Sequence, residues 1–321
     1  MNRMPLFAVA VAALSVAAPG RAQQKSIRLS IATGGTGGVY YPLGGGLANV
    51  LSKSLPSVEA TAEVTSASVD NIKLVGAGKV DIAFTLGDMA LDGYRGAGKF
   101  KEKVPVSAIA VLYANKSQWV TVEGSGIQAM RDLKGKRIAT GAPGSGTEVI
   151  ALRILEAYGI DPEKDVKREK LSVAESGNAL KDRKIDAFFW SGGVPTAAVT
   201  DLAATPGIKI RLLDHADAIP AMVKKHGSLY VKGSIPAGSY PGQQREAQVA
   251  DVWNLLVVNE KMDEKLVHDV VQTLFERKAD LVAVHSEAAN LNLSTQLDGG
   301  SAIPFHPGAL RYFSEKGLKP R

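Results

Sequence analysis

The sequence predicts an α/β protein made of two similar units that face each other across a cleft. Short apolar runs alternate with segments of helical periodicity, which is typical of a parallel α/β sheet. A glycine-rich bend between a strand and a helix occurs twice, in TGGTGGVYY and in GAPGSGTE. The runs GKVDIAF and RKIDAFF match each other most plainly between the two units. These observations indicate two lobes with a hinge between them.

The first unit begins with the apolar run IRLSIAT, which predicts a strand over residues 27–33. A helix over 39–53 follows the glycine bend, because Leu43, Leu47 and Leu51 recur at helical spacing. Alternation in VEATAEVT predicts a strand at 58–65. The unit ends with a helix at 69–77, a strand at 80–84 and a polar turn.

The second unit repeats this order. A strand at 137–140, a glycine bend at 141–146 and a helix at 147–158 are followed by ESGNALKDRKIDAFFWSGG, which predicts another helix, strand and polar turn. VWNLLVVNE then predicts a buried strand, and a helix spans 263–277. We expect the hinge at Val111–Ala114, within an outward crossing strand, and at Tyr230–Gly233.

The N-terminus has the pattern of a secretory signal. Arg3 precedes an apolar run that ends near Ala18, and small residues flank Arg21, so cleavage is expected after Ala22. The apolar run is shorter than a membrane span, and no cysteine follows for lipidation. The predicted organisation is a signal peptide at 1–22, a first lobe at 23–113, a second lobe at 114–230 and a return to the first lobe at 231–321, in a soluble periplasmic protein.

Composition narrows the possible functions. The chain has 321 residues and no cysteine, which excludes disulfides, thiol catalysis and thiolate metal sites. The net charge of +6 is modest, and its densest basic runs are interrupted by acids and lack interleaved aromatic residues, so no nucleic-acid partner is expected. The five histidines form no metal-ligand cluster. We therefore predict neither a metal nor another cofactor.

The two bends suggest that an anion binds between the lobes. Backbone N–H groups at a helix start can face an anion, and ligands of open α/β sheets lie beyond the carboxyl ends of the strands. No Lys-Ser or Lys-Thr pair follows the glycines of the first bend, and Tyr40 stands where a dinucleotide motif needs a third glycine. A small carboxylate therefore fits better than a nucleotide. The alternative is that both bends are only tight turns.

Taken together, the motifs resemble those of the TAXI family of solute receptors for TRAP transporters. The resemblance rests on TGGTGGVYYPLGG, GAPGSGTE, SGGVP, IPAGSYPGQ and FHPGALRYF, in this order along nearly all of the mature chain. It implies a type II periplasmic-binding fold and a monomeric receptor that delivers a small organic acid or amino acid to an ion-driven permease. Glutamate, glutamine and 2-oxoglutarate are ligand types that the family suggests. The arginine clamp of other TRAP receptors is missing from the bends.

Candidate ligand-binding residues come from both lobes. The two bends would supply backbone N–H donors. Hydroxyl and amide side chains would add hydrogen bonds, and aromatic and proline side chains at the ends of later strands would form the walls of the site. Ser68 could instead cap a helix, Trp190 could instead be core, and His306 is expected to be a structural contact. The predicted set is Thr36, Gly37, Gly38, Tyr40, Ser68, Asn71, Thr85, Ser145, Gly146, Thr147, Trp190, Gly193 and Pro195.

Two other readings of the sequence remain. A serine hydrolase would use Ser145 as nucleophile, but GAPGS lacks the G-x-S-x-G elbow, so no enzyme is expected. A binding protein of this kind could also serve a sensor kinase or an ABC permease, and only the family resemblance favours the TRAP route. In each case, ligand contact with both lobes would stabilise the closed shape that a membrane partner recognises.

Overall fold

The protein is described by a computed structural model over residues 26–319; the predicted signal at 1–22 lies outside these residues. The strands of the described chain form one mixed sheet. They are β1 (Ile27–Ala32), β2 (Val58–Glu63), β3 (Ile82–Leu86), β4 (Val106–Val122), β5 (Arg137–Ala139), β6 (Lys167–Glu169), β7 (Ala187–Gly192), β8 (Ile210–Leu213), β9 (Val231–Ile235) and β10 (Ala247–Asn259).

Helices cover the sheet on both faces and connect its parallel strands. Apart from short 3-10 turns, those of the described chain are α1 (Tyr40–Ser54), α2 (Ser68–Gly76), α3 (Gly87–Arg95), α4 (Gly146–Ala157), α5 (Val173–Lys181), α6 (Ala197–Ala203), α7 (Ile219–His226), α8 (Glu264–Glu276), α9 (Lys278–Val284) and α10 (Pro307–Glu315).

The sheet has two parallel halves joined by two antiparallel strands. Its order is β2-β1-β3-β10-β4-β7-β5-β6, with β8 beside β4 and β9 beside β10. We call β1–β3 with α1–α3 the first half, and β5–β8 with α4–α7 the second half. Strand β1 is parallel to β2 and β3, and β5 is parallel to β6 and β7. The predicted parallel α/β pattern is therefore confirmed within each half.

The long strands β4 and β10 carry the chain between the halves. Lys116 of β4 pairs with Asp251 of β10 and also with Gly192 of β7. Strand β10 pairs with β9 up to Asp251 and with β3 from Asn254 onwards. These exchanges of partner place the crossings at 115–117 and 251–254. Because both strands change partner between the halves here, we expect the hinge at these positions.

The lobe boundaries at 113/114 and 230/231 stay predictions. Residues after 230 do not return to the first half at once, because Ile235, Tyr240 and Val249 pack in the core of the second half with Phe188. This packing favours a return near Asp251. A separate apolar cluster fills one face of the first half, and a third cluster runs under both halves on the opposite face.

Helix α3 is a difference from the sequence prediction, which placed a polar turn after the strand at 80–84. The strand in fact extends to Leu86, and α3 starts at Gly87 without a loop. Gly93 permits close packing of α3 on α2, since a Cβ there would lie 2.6 Å from Cγ2 of Ile72. Gly93 therefore serves helix packing.

Candidate functional site

A cavity of about 220 Å³ lies between the two halves. Its lining comes from the segments that follow β1, β2, β5 and β6, from the last residues of β3 and β7, and from Tyr113 and Asn115 of β4. Apart from the β4 residues, all of these are at carboxyl ends of parallel strands, where ligands of open α/β sheets bind. The volume is below that of pockets for drug-sized ligands, so the cavity suits a smaller molecule.

Four helices begin in the lining of this cavity. Helices α1, α2, α4 and α5 start at Tyr40, Ser68, Gly146 and Val173, all of which line it. The first N–H groups of a helix have no intrahelical partner, and they carry the positive end of the helix dipole. Within residues 26–319, no acidic, basic or histidine side chain lines the cavity. The helix starts are therefore the electropositive groups of the described lining.

The two halves touch each other around the cavity. Ala198 N–H donates to the Gly37 carbonyl (3.3 Å), and Asp70 N–H donates to the Gly144 carbonyl (3.1 Å). A Cβ on Gly38 would lie 3.0 Å from the Trp190 ring. Several glycines of the bends are thus required for close approach of the halves as well as for turning the chain.

The structure brings most of the predicted site residues to this cavity. From the first half come residues of the glycine bend and of the starts of α1 and α2. From the second half come the start of α4 and the end of β7. The nine predicted residues in the lining are Thr36, Gly37, Gly38, Tyr40, Ser68, Ser145, Gly146, Thr147 and Trp190. Their contact with a ligand stays a prediction.

The other four predicted residues lie outside the lining. Asn71 is fully buried, and its amide donates to the carbonyls of Thr33 and Phe84, so it holds the loop beneath the cavity. Thr85 is buried in β3. Gly193 and Pro195 follow β7 and contact the C-terminal part of the chain, through Glu287 and His285 respectively. In this arrangement, none of these four residues is placed to contact a ligand in the cavity.

Ser145 has a structural task that its sequence position only partly revealed. Its hydroxyl accepts a hydrogen bond from Glu148 N–H (3.1 Å), which caps α4, and donates to the Ala142 carbonyl (2.6 Å). This leaves the N–H groups of Gly146 and Thr147, at the first two helical positions, as the donors facing the cavity. His306 likewise caps α10, the structural role that we expected.

A polar network on the crossing strands escaped the sequence analysis. Asn254 of β10 accepts a hydrogen bond from the Tyr40 hydroxyl and donates to Asn115 Oδ1 (2.7 Å). Asn115 in turn donates to Ser191 Oγ (3.4 Å). The network joins the first half, both crossing strands and the second half. The sequence feature that could have indicated this network is Asn254 within the apolar run VWNLLVV, because a buried amide side chain needs hydrogen-bond partners.

Two tyrosines of the lining have raised pKa values. Burial raises the pKa of Tyr40, and the nearby Asp88 carboxylate adds to the increase, against a hydrogen bond from Ser68 that lowers it. Burial also raises the pKa of Tyr113 well above its usual value. The Tyr113 hydroxyl has no hydrogen-bond partner among the described residues. It is therefore a neutral donor without an acceptor at the edge of the cavity.

No group of three histidine, cysteine or acidic side chains within 26–319 could hold a metal ion. None of the helices that the structure describes is long and apolar enough to cross a membrane.

The architecture is a two-lobed α/β fold of the type II periplasmic-binding kind, with a cavity between the lobes. A binding protein component of an ABC phosphonate transporter from Pseudomonas aeruginosa is similar in fold, with a TM-score of 0.55 and 13% identity over 83% of this chain and 80% of that chain. An ancestral arginine-binding protein bound to arginine gives a TM-score of 0.51 and 15% identity over 81% of this chain and 97% of that chain. The pattern of the NMT1-like family matches residues 31–317, and the chain belongs to that family.

Proposed function

We propose that this protein is an extracytoplasmic receptor that captures a small organic acid between its two lobes. The observation that carries the proposal is the convergence of four helix N-termini, from both halves, on one cavity whose described lining has no charged side chain. Such a site attracts an anion without a basic residue. The similar folds of transporter binding proteins support the class of function.

The energies are sufficient for tight binding. A carboxylate gains about 0.3 to 1 kcal/mol from each exposed helix dipole and up to ~2 kcal/mol where the site is partly buried. Hydrogen bonds to a charged group add about 1.5 to 3 kcal/mol each, before the costs of desolvation and closure. Micromolar affinity, about −8 kcal/mol, is therefore within reach without an arginine.

Ligand binding would favour the closed arrangement. A molecule held by α1 and α2 on one side and by α4 and α5 on the other has more contacts when the halves meet. The membrane partner then recognises the closed surface. The resemblance to TAXI receptors supports delivery to a TRAP transporter, while an ABC permease or a sensor kinase remains the alternative partner.

The cavity supports binding rather than catalysis. The Ser145 hydroxyl is engaged in capping α4, and no histidine of the described chain lines the cavity to act as its base. A serine hydrolase needs both a free nucleophile and a base beside it.

The direct test uses mature protein that has been unfolded and refolded to remove carried ligand. A thermal-shift screen of monocarboxylates, dicarboxylates, 2-oxo acids and amino acids should give a saturable rise in melting temperature with one class. Incubation with generic esters separates a receptor, which leaves them intact, from an esterase, which hydrolyses them to acid and alcohol. The absence of a shift with every acid would refute the proposal. Uptake into vesicles that contain the membrane subunits, driven by an ion gradient or by ATP, distinguishes TRAP from ABC partners.

A further inference from the structure

We propose that the ligand is a monoanion: one carboxylate on an apolar body, with neither a second acid group nor an ammonium group. This inference rests on the receptor function proposed above and narrows its ligand class. It differs from the glutamate and 2-oxoglutarate that the family resemblance suggested. The basis is the charge pattern of the cavity lining and of the shell around it.

A second carboxylate would have no partner in the cavity. The helix starts can serve one anion, but no lysine or arginine of the described chain is in the lining. Cations of the neighbouring segments are already paired with acids: Arg153 with Asp88 and Asp92, Lys116 with Asp251, and Arg168 and Lys170 with Glu148. A buried charge without a partner is costly, so a dianion is disfavoured.

Acidic side chains also border the lining. The Asp70 carboxylate lies against Gly144, where a Cβ would come within 2.5 Å of it. Glu287 lies against Gly193 next to Tyr113. Glu148, which follows Thr147 at the start of α4, is paired with Arg168 and Lys170. Asp70 and Glu287 would therefore repel a second carboxylate on the ligand.

An ammonium group would also be disfavoured. Amino acids need an acceptor for their ammonium group, and no carboxylate of the described chain lines the cavity. The amide oxygen of Asn115 already accepts from Asn254, and the Tyr40 hydroxyl donates to Asn254. The positive ends of four helix dipoles would oppose a cation in the same small space.

The remaining lining suits an apolar body. Val64, Leu86, Val173 and the Trp190 ring provide aliphatic and aromatic surface from both halves. Burial of an alkyl or aryl group against such surface is favourable. The unpartnered Tyr113 hydroxyl and the side chains of Thr36 and Ser66 can bond a neutral oxo or hydroxyl substituent.

Calorimetric titration of the refolded protein with three probes of similar shape tests the preference for a monoanion. We use 4-methyl-2-oxopentanoate as the monoanion, 2-oxoglutarate as the dianion and L-leucine as the zwitterion. The monoanion should bind at least tenfold more tightly than either of the others. Equal or tighter binding of 2-oxoglutarate or leucine would overturn the inference and leave the receptor function standing.

A charge variant provides the reciprocal test. Ser66 is a half-buried lining residue without a side-chain hydrogen bond among the described residues, so Ser66→Lys can supply the missing cation. This variant should raise the affinity for 2-oxoglutarate relative to the monoanion at least tenfold, while Ser66→Gln controls for bulk. Thr36→Lys replaces it if the first variant does not fold.

The broader screen separates the two proposals. If none of the three probes binds, a hit among other monocarboxylates supports the inference, and a hit among dianions or zwitterions overturns it. If no organic acid of any class binds, both the inference and the receptor proposal fail.

Discussion

Glycines that look alike in the sequence have different tasks in the structure. In TGGTGGVYYPLGGG, a Cβ on Gly38 would press on Trp190 across the cavity, and a Cβ on Gly44 would lie 2.3 Å from Cγ2 of Thr33. Gly45 is exposed on α1 and has no such neighbour within 4 Å. Sequence reasoning located the bend but could not separate these tasks, because each depends on a residue far along the chain.

Gly38→Ala should weaken ligand binding. The added methyl group would lie 3.0 Å from the Trp190 ring, which is held by its Nε1 hydrogen bond to Thr196 (2.9 Å), so the closed arrangement would be strained. We expect about a tenfold loss of affinity, near 1.4 kcal/mol, by titration calorimetry. Gly45→Ala is the control: it should keep the affinity and add roughly 0.5–1 kcal/mol of stability. Wild-type affinity in Gly38→Ala would contradict this prediction.

At the scale of elements, the starts of the helices determine what the cavity can bind. The sequence predicted the starts of α1 and α4 within a residue or so, because a glycine bend followed by apolar periodicity is a local signal. The starts of α2 and α5 converge on the same cavity only through the order of strands in the sheet. The asparagines of the crossing strands were missed for the same reason, since strand pairing makes their contacts.

Ser145 variants separate capping from ligand binding. Ser145→Ala should lose about 1 kcal/mol of unfolding free energy, because the cap on Glu148 N–H disappears. Ser145→Asp should keep that stability, since aspartate caps as well as serine, but should weaken anion binding by placing a carboxylate in the lining. Chemical denaturation and calorimetry measure the two effects. Unchanged affinity in Ser145→Asp would argue against an anion at the start of α4.

Asp251, on the crossing strand β10, has a raised pKa. Burial raises the pKa of Asp251 to about 6, with a smaller effect from Glu287, although its bond to Lys116 (2.5 Å) acts in the opposite direction. An acid with a raised pKa favours folding most when protonated, so its contribution falls as the pH rises from about 4 through 6.

Asp251→Asn should therefore change the pH dependence of stability. Relative to this variant, the wild type should lose up to about 3 kcal/mol between pH 4 and 7, because one pKa unit corresponds to about 1.36 kcal/mol. Urea unfolding of both proteins across this range gives the comparison. Parallel stability profiles would show that Asp251 does not titrate in this way.

At the scale of the whole molecule, contacts between the halves surround the cavity. The two bends each have an interlobe backbone hydrogen bond, Val194 N–H donates to Glu287 Oε1 (2.7 Å), and Arg153 of α4 bridges Asp88 and Asp92 of α3. The two-lobed α/β class followed from the sequence because repeated local patterns encode it. The continuous sheet and its crossings did not, since they depend on pairing between distant segments.

The most direct test of the central claim, that helix N-termini bind a carboxylate in this cavity, compares an acid with its neutral amide. Calorimetric titration of the refolded protein with 4-methylpentanoate and 4-methylpentanamide keeps the apolar body constant and removes only the charge. We predict that the acid binds at least tenfold more tightly than the amide, and that added salt reduces this difference. Equal binding of acid and amide would contradict the account, because recognition would then rest on the apolar walls alone.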